Sequence, residues 1–156
     1  MVGRAAFTQD VLAELGWLTI AYSGLEDLLV TCIGELLNPG DQEPARDVAA
    51  RMGFREKRET LKRLCFQRYP QAAPELLAAM TAALKTCEAA GSARNDLVHG
   101  LADYDRGVVF MSRPDKPSKP ITLDKVQAVN ALIFDAFRQT ANAIASLWNL
   151  TMGDFE

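Results

Sequence analysis

Apolar residues at Val11, Leu15, Leu18, Tyr22, Leu25, Leu29, Cys32 and Leu36 step by four and three without a break, and this limits what the chain can fold into. Such spacing puts every one of them on a single stripe of an α-helix packed along its whole length. Leu28, Ile33 and Leu37 widen the stripe, which suits the core of a bundle better than a two-stranded coil. Thr8 can cap the start of the helix, and Asn38-Pro39-Gly40 stops it after Leu37.

The remaining segments are mostly of the same kind. Pro44 opens a short helical turn to Ala50, and a second helix covers Phe54 to Tyr69 with Leu61, Leu64 and Cys65 inward. A third runs from Pro74 to His99 and stops at Gly100. Then the period changes. Tyr104 to Met111 reads as a small hairpin with Asp105-Arg106-Gly107 as its turn, followed by a loop from Arg113 to Pro120. Thr122 caps a fourth helix with the stripe Val126, Asn130, Ile133, Phe137, Thr140, Ile144 and Leu147. No repeat or linker divides the chain. The expectation is one all-α domain over residues 1–156, an antiparallel bundle of four main helices with a β-hairpin insert between the third and fourth.

Composition narrows the class. Of 156 residues, 49% are apolar and 24% charged, as in globular proteins. No apolar run reaches the ~18 residues of a membrane span, and Met1 to Gln9 lacks the apolar core of a secretory signal. Cys32, Cys65 and Cys87 are odd in number and widely spaced, which argues against disulfides or zinc and for a reducing cytoplasm. With a single histidine and no clustered ligands, a dedicated transition-metal site is not expected, and the reading calls for no cofactor.

That histidine closes the segment Arg94-Asn95-Asp96-Leu97-Val98-His99. Stepping back from Val98 by fours and threes gives Arg94, Gly91, Cys87, Leu84, Met80 and Leu77, so the arginine interrupts a stripe of small and apolar residues. A guanidinium is always charged and needs a partner where it is buried. Asn95 and His99 share a helix face, while Arg94 lies about 140° around the axis from His99 and must curl back to meet it. An imidazole near neutral pKa is a general acid or base, and a guanidinium fork holds a phosphate by two hydrogen bonds. These parts suit metal-free cleavage of RNA, in which the 2′-hydroxyl attacks the adjacent phosphorus. The alternative is structural: His99 as a helix cap, and Arg94 in an ion pair with Glu26 or Asp27.

The segment resembles the Arg-x4-His motif of the HEPN superfamily (higher eukaryotes and prokaryotes nucleotide-binding), in which a polar residue, here Asn95, typically follows the arginine. The opening helix is similar too, through Trp17-Leu18-Thr19-Ile20-Ala21-Tyr22-Ser23-Gly24-Leu25-Glu26. The resemblance implies a metal-independent endoribonuclease acting as a homodimer, a toxin or defence factor restrained by an antitoxin or nucleotidyltransferase-like partner. It implies that Arg94 orients the scissile phosphate, that His99 is the general base or acid, and that Asn95 positions either. Two His99 side chains across a two-fold axis could be base and acid together, and Glu26 would be a supporting acid. Other members of the superfamily are non-catalytic nucleotide- or protein-binding dimers, which is the rival function.

Net charge is −3, giving no general attraction for nucleic acid, but the charges are segregated. Residues 8–37 contain acids and no base, whereas Arg46 to Arg68 holds Arg46, Arg51, Arg55, Lys57, Arg58, Lys62, Arg63 and Arg68. Arg55, Arg58 and Lys62 are candidates for RNA phosphates, with Arg113, Lys116 and Lys119 a second patch. The alternatives are cross-bundle or intrahelical pairing for the basic helix, the acidic first helix being the cross-bundle partner, and plain solvation for the loop.

Overall fold

The computed structural model describes residues 8–98, 101–105, 108–113 and 116–152, with side chains described for 8–98 and 121–149. Its helices are α1 (Gln9–Leu37), α2 (Glu43–Arg51), α3 (Phe54–Arg68), α4 (Pro74–Val98) and α5 (Leu123–Met152). Wherever side chains are described the chain is helical apart from caps and short connections. Among the described residues no helix is long and apolar enough to cross a membrane.

Local chemistry accounts for the ends of α1. The Thr8 hydroxyl accepts a hydrogen bond from the Val11 amide at 3.4 Å, and the Asn38 amide donates to the Gly34 carbonyl before Pro39 breaks the pattern. Along α1, Val11, Leu18, Tyr22, Leu25, Leu29, Cys32, Ile33 and Leu36 are buried, while Leu37 is half exposed. The turn expected at Pro44–Ala50 is the full helix α2, with Pro44 in its first turn.

Helix directions follow from which residues meet. Gln42, at the start of α2, bonds Glu35, and Arg46 one turn later pairs with Asp27 at 3.6 Å, so α2 returns antiparallel to α1. Phe54 then stacks near Tyr22 and Lys57 pairs with Glu26, so α3 runs alongside α1 in the same direction. Arg58 bonds the Leu84 carbonyl while Phe54 abuts Gly91, which makes α4 antiparallel to α3. Val11 and Leu18 of α1 cluster with Val126 and Val129 of α5, and Leu29 and Leu36 cluster with Ile144 and Leu147, so α5 is parallel to α1. The expectation of an antiparallel bundle is thereby corrected: α4 opposes its neighbours, but α1, α3 and α5 run together. The physical reason is α2, whose return stroke lets α3 start again at the level of Tyr22.

Two apolar clusters fill the bundle. One gathers Leu29, Ile33, Leu61, Cys65, Met80, Leu84, Ile144 and Leu147. The other gathers Leu18, Tyr22, Leu25, Cys87, Leu97, Val126, Ile133 and Ala136. Between α4 and α5 the backbone forms three short strands, β1 (Leu101–Asp105), β2 (Val108–Arg113) and β3 (Lys116–Pro120), paired antiparallel in that order. The stretch expected as a loop from Arg113 to Pro120 thus includes β3.

Candidate functional site

Arg94 sits near the end of α4, half-buried, one turn beyond Gly91 on the same stripe. Its guanidinium carbon lies 4.9 Å from the centre of the Tyr22 ring, within range of a cation–π contact. One terminal nitrogen donates to the Asn95 side-chain carbonyl at 3.1 Å. Gly91 makes this packing possible. A Cβ there would fall 2.8 Å from Phe54 Cε1, and Phe54 in turn lies 5.0 Å, ring centre to ring centre, from Tyr22. The arginine therefore rests on an aromatic shelf contributed by α1 and α3.

The shelf is electrostatically marked. Burial, and next the negative charge of Glu26, push the Tyr22 phenol up to about 12, against the opposing pull of Arg94 and Arg58. Tyr22 thus stays a neutral ring beneath the guanidinium at ordinary pH. Glu26 faces the same shelf, but its carboxylate bonds Lys57, whose ammonium lies 3.4 Å away and is almost wholly buried. Asp27 pairs with Arg46. The acidic first helix does take two of the basic residues, as its charge pattern allowed.

His99 lies outside the described residues. Arg113 and Lys116 are paired opposite each other in the backbone of β2 and β3, and their side chains also lie outside the described residues. Arg55, Arg58 and Lys62 are brought together, with Lys85, around a cleft of about 500 Å³ between α3 and α4. Arg55 donates to Glu59 at 2.7 Å, which holds that carboxyl below the usual range. Arg58 lies over Phe54, donates to the Leu84 carbonyl at 3.2 Å and pairs with Glu88 at 3.3 Å. Among the described residues no three His, Cys, Asp or Glu side chains converge as metal ligands would.

The aromatic pair Tyr22–Phe54, buried Lys57 and the cleft lysine Lys85 were not among the site residues read from sequence. Lys57 had a signal: it lies four residues before Leu61 on the inward face of α3. Lys85 had none, because only the approach of α3 to α4 turns its exposed face into a wall. No family model, curated protein or solved structure matches this chain.

Proposed function

We propose that the protein is a metal-independent endoribonuclease on a HEPN-like bundle with a small β insert, working as a homodimer with a composite Arg94–Asn95–His99 site. The observation that carries this reading is the Arg94 guanidinium, stacked on Tyr22 and bonded to Asn95, five residues before the only histidine. A guanidinium held over a ring is restricted in orientation, and a guanidinium fork is the side chain best matched to phosphate oxygens. Arg94 would bind the scissile phosphate and offset charge as it builds in the transition state. One His99 would take the proton from the 2′-hydroxyl as its oxygen attacks phosphorus. The other would protonate the departing 5′-oxygen, leaving a 2′,3′-cyclic phosphate and a 5′-hydroxyl. A role as a toxin or defence nuclease, restrained by an antitoxin or nucleotidyltransferase-like partner, fits an enzyme that would otherwise degrade its host's RNA.

Exposed Trp17, Ile20, Phe134 and Phe137 favour a second reading, a non-catalytic dimeric nucleotide- or protein-binding scaffold. Cleavage of a mixed RNA pool in EDTA separates the two. The nuclease reading predicts cyclic-phosphate products from wild type, and losses on the order of 10²-fold or more for Arg94→Ala and for His99→Ala. A folded wild type that cleaves no RNA leaves the scaffold, and a monomer in solution rules out the shared site.

A further inference from the structure

The cleft between α3 and α4 has a charge balance that its own residues do not complete. Two of its cations are matched: Arg55 by Glu59 at 2.7 Å and Arg58 by Glu88 at 3.3 Å. Lys62 on α3 and Lys85 on α4 pair with no carboxylate among the described residues, so each wall carries an uncompensated ammonium group. Lys62 instead lies 5.9 Å from the Phe66 ring centre. The Nε of Arg58 is buried with no hydrogen-bond partner among the described residues, although the rest of that side chain is well held. Cations on facing walls of one groove attract a ligand that is itself multiply anionic.

The lining also says what kind of anion. None of the residues lining the cleft is aromatic, so it offers no platform for stacking a base. Lysine and arginine contacts without base readout suit a phosphodiester backbone. The direction of the groove follows from α4. Thr81, Lys85, Glu88, Ser92 and Asn95 are spaced four, three, four and three, so one helix face runs from the cleft wall to the residue that bonds Arg94. From Lys85 to Asn95 is about 15 Å along the axis at 1.5 Å per residue.

We infer that this cleft is the groove that holds the phosphate backbone of single-stranded RNA and delivers it along α4 to Arg94. The identity of the strand rests on the ribonuclease reading, whereas the binding rests on the charges of the cleft itself. Because the protein as a whole is acidic, binding depends on this local patch and weakens steeply with salt.

The test is fluorescence anisotropy with a short labelled 2′-O-methyl RNA, which the proposed chemistry cannot cleave, over a range of salt. Lys62→Glu/Lys85→Glu is expected to weaken binding at least roughly tenfold and to lower the salt slope by about two. Arg51→Glu/Arg68→Glu, an identical charge change at exposed positions outside the cleft, is expected to alter affinity by less than about threefold. Circular dichroism checks that each variant is folded. Equal losses in both variants, wild-type binding by the cleft variant, or no binding by wild type would overturn the inference. Selective loss in the cleft variant alongside a wild type that cleaves nothing would keep the groove and remove the nuclease. Cleavage by wild type with undiminished binding by the cleft variant would do the reverse.

Discussion

Around Leu29, Ile33 and Leu36 the bundle is closed by α2, α3, α4 and α5 together. Around Leu18, Tyr22 and Leu25 the walls are α4 and α5, and α3 contributes only Phe54. Polar groups enter this second half. Asn130 is buried and donates to the Glu14 carbonyl at 3.0 Å and to its carboxylate at 2.6 Å. Arg94 stacks on Tyr22 in the same half, and the Lys57–Glu26 pair marks its border with the first. The first half is enclosed by more helices, and the second holds Asn130 and Arg94 in fixed positions. If the Arg94 end is a site, that difference is the relation expected between it and a stabilising core.

Truncating matched leucines puts the comparison under the greatest load. Leu29→Ala is expected to cost about 4 kcal/mol and Leu18→Ala about 3 kcal/mol, because fewer elements surround the second cavity. Urea unfolding measures both, and a larger loss at Leu18 would break the contrast. A smaller effect is expected at the border. Glu26→Ala leaves the Lys57 ammonium buried without its carboxylate and should cost about 2 kcal/mol. Adding Lys57→Met should recover most of that loss. If RNA cleavage recovers with it, Glu26 acts through the ion pair alone.

Alkaline pH gives the gentlest test. Burial pushes the Cys32 and Cys65 thiols up to about 12, as it does the Tyr22 phenol. These raised values mean that the folded protein keeps protons that the unfolded chain releases above about pH 9 for thiols and about pH 10 for the phenol. Stability should be at its full value below about pH 9 and fall progressively toward pH 12. Denaturation midpoints across that range check the slope, and an unchanged midpoint would mean that the groups titrate as in the open chain.

The stripe of α1 was legible because large apolar residues mark it, and Leu37, near its end, is the clear miss. On α5 the same rule put Phe137 inward, yet it is 40% exposed while Ala136 is fully buried. Small residues are buried where α4 meets α5, Ala83 and Ala90 on one helix and Ala136 and Ala143 on the other, and such residues make a narrow seam. A stripe drawn through the largest side chains cannot see such a seam. At the site, Arg94 announced itself as a charge on an apolar stripe. Its support did not, because Tyr22 and Phe54 are distant in sequence and each reads as ordinary core. Arg55, Arg58 and Lys62 were legible as a basic run, but the cleft depends on where α3 crosses α4.

The central claim is that the Arg94 end of the bundle is built for function. Arg94→Leu tests it when unfolding free energy and RNA cleavage in EDTA are measured on the same preparation. The account predicts a change in stability within about 1 kcal/mol together with loss of cleavage by at least about 10²-fold. A stability loss of several kcal/mol with cleavage unchanged would contradict it, and would make Arg94 a structural residue.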